Sequence, residues 1–221
     1  MQPEIIETFN SNPESLTGEH SGSGMFSDVS LTPCETYAIK HGNHGFADGW
    51  LLYAAKLLTI PAEYRPYWAP MIHSLRIDLD NGTFVALMDA YEDYDYGPCE
   101  GGRVNRMVSL LDNGHYCEDA YCECEHCEFL SEVNEFGTDD CLRLLAEIES
   151  ESRVPLHFDI GGNSMLDAKT GNVIFNDPVC VVCWVEAKES QKYREKITNY
   201  VRECAINAPD LFIKGESKCQ S

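Results

Sequence analysis

The chain has 221 residues, 43% of them hydrophobic, enough for one substantial domain or two lobes with their own cores. Its 37 acidic and 16 basic residues give a formal net charge of −21, which argues against nucleic-acid backbones and anionic membranes as partners. No apolar run is long enough to span a bilayer, and the acidic start MQPEIIETFNSNPES lacks the basic beginning and apolar core of a signal peptide. The expected location is therefore the cytoplasm.

In chain order, residues 1–18 read as a loosely ordered acidic tail. Residues 19–95 read as strands with one helix: MFSDVSL, TYAIKH, MIHSLRIDL and TFVALMDAY are β-like, and Asp80-Asn81-Gly82 is a hairpin signal. The helix is ADGWLLYAAKLL (47–58), where Leu51, Leu52, Ala55 and Leu58 repeat at helical spacing. YEDYDYGPCEGG (91–102) is a polar connector able to join two lobes. Beyond it, GTDDCLRLLAEIES (137–150) is helical, with Thr138 or Asp139 as N-cap and Leu142, Leu145 and Ile148 on one face. EAKESQKYREKITNYVRECAI (186–206) is a second amphipathic helix, rich in Lys and Arg for this chain.

The segment PLHFDIGGNSMLDAKTGNVIFNDPVC (155–180) interrupts the helical half. Two short apolar runs, Ser164-Met165-Leu166 and Val173-Ile174-Phe175, flank turn residues 167–172. Such a hairpin brings Asp159, Asn163 and Asp177 to one edge, where oxygen ligands can hold Mg²⁺ against phosphates. Upstream, HSGSGMFSDV (20–29) matches G-x-G-x-Φ-S-x-V between β-like runs, and glycines there let backbone amides approach phosphates. Next comes Ala38-Ile39-Lys40, with Lys40 ending an apolar alternation. Glycine loop, then A-I-K, then H-x-D…N…D is the order of a protein kinase.

On these motifs the chain resembles a protein kinase. It is most similar to the early serine/threonine kinase family of lytic short-tailed phages that encode a single-subunit RNA polymerase. The resemblance rests on GSGMFSDV, VALMDAY, HFDIGGNSML and NDPVC in that order, over about residues 20–180, with Asp-Pro-Val the most specific sign. It implies an α+β, two-lobed kinase-like fold, with a β-rich N-lobe (19–95) and a truncated, mainly helical C-lobe (96–221). It also implies ATP and Mg²⁺ as cofactors. Gly22, Ser23, Gly24, Met25, Phe26 and Ser27 would cover the ATP phosphates; Val29 and Ala38 would sandwich adenine, and Lys40 would hold the phosphates. Backbone groups of Asp89 to Tyr91 would meet the adenine edge. Asp159 would serve the acceptor hydroxyl as catalytic base, and Asn163 and Asp177 would bind Mg²⁺. The implied substrates are host bacterial proteins of transcription and RNA metabolism, in the host cytoplasm early in infection.

The chain also departs from that pattern. Asn163 follows Asp159 by four residues where the usual loop has five. The helix after A-I-K offers no glutamate for Lys40, and Asp48 at its start is the nearest acid. No activation segment or A-P-E follows Asp177, nor is there a long basic C-terminal extension. An alternative is thus a kinase-like protein without catalysis that occupies a basic groove on a host enzyme. Residues 89–151 hold 18 acids against three basic residues, a charge of −15 suited to that role or to plain solvation. A further alternative is a small-molecule phosphotransferase of the aminoglycoside-kinase type. Among the 11 cysteines, Cys117, Cys122, Cys124 and Cys127 crowd with His115 and His126 too tightly for an easy zinc tetrahedron, and the expectation there is a mobile acidic loop with free thiols. Cys180 and Cys183 read as buried structural residues beside Val179, Val181, Val182 and Trp184.

Overall fold

The structure is a computed structural model and describes residues 3–23, 27–42, 49–93, 137–158, 163–181 and 187–214. Among these the helices are α1 (Pro3–Ser11), α2 (Trp50–Thr59), α3 (Thr138–Ser152) and α4 (Ala187–Asn207). The strands are β1 (His20–Ser23), β2 (Ser27–Leu31), β3 (Tyr37–Gly42), β4 (Ile72–Asp78), β5 (Thr83–Asp89), β6 (Glu92–Asp93), β7 (Leu156–Phe158), β8 (Ser164–Leu166), β9 (Val173–Phe175), β10 (Val179–Val181) and β11 (Leu211–Ile213). One mixed sheet runs in the order β1-β2-β3-β5-β4-β11; its neighbours are antiparallel except β11, which lies parallel to β4. β7 pairs with β10, and β6, β8 and β9 form a three-stranded sheet. The chain is α+β, as the sequence leads one to expect.

Strand alternation divides the large sheet into two apolar faces. Leu31 opposes Ala38, Val29 opposes Lys40, and Lys40 opposes Ala86, so these side chains share the face covered by α2. Trp50, Leu51, Leu52, Tyr53, Ala54, Ala55, Leu57 and Leu58 are all buried, so the apolar face of α2 is far wider than the single expected stripe and leaves Lys56 and Thr59 on the side nearer solvent. The reason is its place: the sheet lies on one side, and α3 and α4 lie on the other. Gly42 at the end of β3 shapes this contact. A Cβ there would sit 2.0 Å from Phe84 Cε1, so only glycine lets Phe84 cross the strand and stack on Trp50 at 5.2 Å.

The described part of the expected loose tail is ordered. Residues 3–11 form α1, and Phe9 is fully buried against Tyr37, Ile39 and Leu87 on the opposite sheet face, with Ile5, Ile6 and Leu16 beside it. The Arg76 guanidinium donates to the carbonyl of Asn10, which ties the end of α1 to β4. A sheet with two apolar faces needs two covers, and α1 is the second.

The N-cap of α3 is Gly137, not Thr138 or Asp139. Gly137 has φ +78°, and a Cβ would meet Trp68 Cδ1 at 2.1 Å, so backbone conformation and packing both select glycine. Thr138 is buried instead. The Lys- and Arg-rich helix appears as α4, but it leads into β11, which completes the large sheet beside β4. α4 packs on α2, and residues of α2, α3, α4, β4, β9 and β10 share one hydrophobic cluster. Among the described residues, packing is continuous across the boundary expected near residue 95.

Candidate functional site

The hairpin forms where expected. β8 and β9 pair with Ser164 opposite Phe175 and Leu166 opposite Val173. Its turn is closed by Asp167, whose carboxylate accepts from the Lys169 amide (2.9 Å) and the Thr170 hydroxyl (2.8 Å), with Gly171 at φ +74°. At the open end the Asn163 carbonyl accepts from the amides of Asn176 (3.2 Å) and Asp177 (3.4 Å). Asn163 and Asp177, the two expected metal ligands, therefore sit at one edge.

This edge is fastened to α2. The Trp50 indole N–H donates to the Asn176 carbonyl at 2.9 Å, and the Tyr53 hydroxyl donates to the Phe175 carbonyl at 3.1 Å. Burial pushes the Tyr53 pKa well up, which keeps its proton available to donate. The Phe175 amide donates to the Trp68 carbonyl (2.9 Å). Three backbone groups just before Asp177 are thus held by the core.

Lys40 Nζ meets Asp177 Oδ2 at 2.6 Å across 137 residues of sequence. The Lys40 side chain is 2% exposed and that of Asp177 28% exposed. Nζ also lies 4.5 Å from the centroid of the Trp50 ring. The acid that meets Lys40 therefore comes from the hairpin, and an aromatic face stands at the start of the helix that lacks a glutamate. Val29 and Ala38, the expected adenine sandwich, lie on the same sheet face as Lys40.

The expected hinge follows β5. The Asp89 amide donates to the Met71 carbonyl (3.0 Å), and the Ala90 amide donates to the Thr36 carbonyl (3.0 Å), so both amides are engaged within the fold. The Asp89 carboxylate pairs with His73 Nε2 at 2.7 Å, and the Tyr91 hydroxyl accepts from the Met71 amide at 2.7 Å. Burial pushes the Tyr91 hydroxyl well above its usual range.

Of the glycine loop, Gly22 and Ser23 lie in β1 and Ser27 begins β2, with Gly22 opposite Val29. A Cβ on Gly22 would meet nothing within 4 Å, so packing does not demand glycine there. Gly24, Met25 and Phe26 lie outside the described residues, as does Asp159. Of the described residues on either side of it, Phe158 pairs with Val179, and the Asn163 carbonyl accepts from the amides of Asn176 and Asp177. The cysteine and histidine cluster of 115–129, Asp48 and Cys183 also lie outside the described residues. The described free thiols are Cys34, exposed, and Cys141 and Cys204, both buried.

Mg²⁺ and nucleotide phosphates fit the chemistry of this edge: an amide residue and a carboxylate residue at the two ends of one hairpin, with a buried ammonium against the carboxylate. In the preceding residue, Asn176 Oδ1 is buried with no hydrogen-bond partner, while the same amide donates to Met165 Sδ at 3.2 Å. Comparison with protein-family models and with curated proteins finds no match to this chain. The residue that sequence reasoning missed is Trp50. Nothing in the sequence singles it out, and an aromatic at the start of the glutamate-free helix after A-I-K is the available signal.

Proposed function

We propose that the protein is an ATP- and Mg²⁺-dependent phosphotransferase of the protein-kinase type, acting on serine or threonine hydroxyls, with a reduced kinase-like two-lobed architecture. The observation that carries this reading is the 2.6 Å contact between Lys40 of A-I-K and Asp177 of N-D-P-V. Two motifs selected for kinase roles meet although nothing local in the sequence joins them. The strand order, with A-I-K on the third strand, α2 between β3 and β4, and the hairpin under α2, supports the same reading.

In this reading Lys40 holds the phosphates, and Asn163 and Asp177 hold Mg²⁺, which neutralises charge on the transferred group when bound. Asp159 orients the acceptor hydroxyl and takes its proton. Val29 and Ala38 pack against adenine, and Gly22 to Ser27 cover the phosphates. The hydrogen bonds from Trp50 and Tyr53 hold the metal loop in place before nucleotide arrives, which is where positioning contributes to rate. Host bacterial proteins in the cytoplasm are the proposed substrates.

A second reading, a kinase-like binder without transfer activity, is favoured by one observation: Lys40 is 2% exposed and already neutralised by Asp177. Phosphates reach it only if that pair separates. The test is incubation of the purified chain with labelled ATP, Mg²⁺ and bacterial lysate, beside Asp159→Asn. Label in lysate proteins that disappears with the variant supports the kinase. Tight capture of a basic bacterial protein with no Mg²⁺–ATP binding supports the binder.

A further inference from the structure

We propose that Trp50 is the positioning residue for Lys40, taking the place that an acid on this helix holds in other kinases; the inference rests on the phosphotransferase reading. The residue has the right contacts in both directions. Its ring face lies 4.5 Å from the Lys40 ammonium, and its indole N–H donates at 2.9 Å to the carbonyl of Asn176, the residue before Asp177. One side chain therefore touches the phosphate-holding cation and the backbone that aims the metal-binding carboxylate. Trp50 is itself fully buried, and its ring is set by stacking on Phe84, which Gly42 lets lie flat.

The need for such a residue follows from charge. In the structure Lys40 is balanced by Asp177. With Asp177 turned to a metal ion, Lys40 loses its carboxylate while its side chain stays inside the protein, where an uncompensated ammonium is costly. α2 carries no acid anywhere in Trp50–Thr59 to replace it. An indole face attracts a cation through its quadrupole, most strongly where water is excluded. It can hold the ammonium in the site without neutralising it, which leaves the full positive charge for the phosphates. A second carboxylate would compete with them.

Two substitutions separate positioning from packing. Trp50→Phe keeps an aromatic face and loses the indole N–H. Trp50→Leu loses both. Mg²⁺–ATP affinity of the full chain, measured by titration calorimetry, is expected to fall about 2- to 30-fold for Trp50→Leu, the range from an exposed to a desolvated cation–π contact. Trp50→Phe is expected to recover most of that loss while still slowing turnover, because the Asn176–Asp177 backbone is less firmly aimed. The readout independent of nucleotide is the ring-current shift of the Lys40 ε-methylene protons, present in the unchanged chain and in Trp50→Phe and lost in Trp50→Leu. Equal Mg²⁺–ATP affinity and turnover in all three proteins, with only thermal stability lowered, would overturn the inference alone. Failure of the unchanged chain to bind Mg²⁺–ATP would overturn the phosphotransferase reading, and this inference with it.

Discussion

Two lysines tie the first half of the chain to the second, and they differ in almost every physical respect. Lys40 lies 2% exposed against one carboxylate and one aromatic face. Lys56, on the only part of α2 that approaches solvent, is 15% exposed and meets Glu147 at 2.7 Å and Glu151 at 2.9 Å, whose side chains are 53% and 44% exposed. Counted by contacts, Lys56 has the better partners. Counted by burial, Lys40 is the charge that the fold cannot leave alone. Water can replace the partners of Lys56 and cannot readily replace Asp177; the proposed function rests on this asymmetry, and the Lys56 pairs read as a surface brace.

The largest expected effect is from Asp177→Ala. It leaves the Lys40 ammonium buried and unpaired, so destabilisation of about 3–5 kcal/mol is expected in urea unfolding, together with loss of transfer. Adding Lys40→Met to the same chain is expected to restore part of that stability without restoring activity. Additive losses in the double variant would show that the pair is not coupled. Next in size is Gly42→Ala, whose new Cβ pushes Phe84 off the strand and disturbs Trp50. A cost of about 1–3 kcal/mol is expected, with weaker Mg²⁺–ATP binding, and an unchanged melting temperature would contradict the packing described above.

At the surface brace the changes are small. Glu147→Gln or Glu151→Gln is expected to cost less than about 1 kcal/mol, shrinking further at high salt. The smallest expected effect is its pH dependence. The Lys56 ammonium beside Glu147 holds that carboxyl below its usual range. Because the folded value is depressed, the contribution is complete above the ordinary carboxylate range near about pH 4 and fades as pH falls below it. Stability of Lys56→Met measured from pH 6 to 3 is expected to lie slightly below that of the unchanged chain at the upper end and to converge with it at the lower end.

The strands that carry motifs were legible because their chemistry is local. TYAIKH alternates, Asp80-Asn81-Gly82 turns with Gly82 at φ +68°, and the 164–175 hairpin has turn residues between two apolar runs. What stayed hidden depends on partners far away in sequence. α1 reads as an acidic tail until the apolar outer face of β3 and β5 is known, although Ile5, Ile6 and Phe9 at helical spacing were its signal. β11 is three residues of LFI whose meaning comes from lying parallel to β4 behind the α4 crossover. The observed partners of Lys40 are Asp177, 137 residues away, and the ring of Trp50, and neither pairing can be read from the local sequence. Gly137 caps α3 because its backbone is left-handed and Trp68 fills the space of a Cβ, a contact no window of sequence displays.

Calorimetric titration of the unchanged chain with ATP in millimolar Mg²⁺, repeated with Lys40→Met and Asp177→Asn, addresses the meeting of Lys40 and Asp177 most directly. The expected result is saturable Mg²⁺-dependent binding by the unchanged chain, weakened at least tenfold in each variant, with Asp159→Asn binding normally but transferring no phosphate. Absence of saturable binding by the unchanged chain, or binding indifferent to both substitutions, would contradict the account.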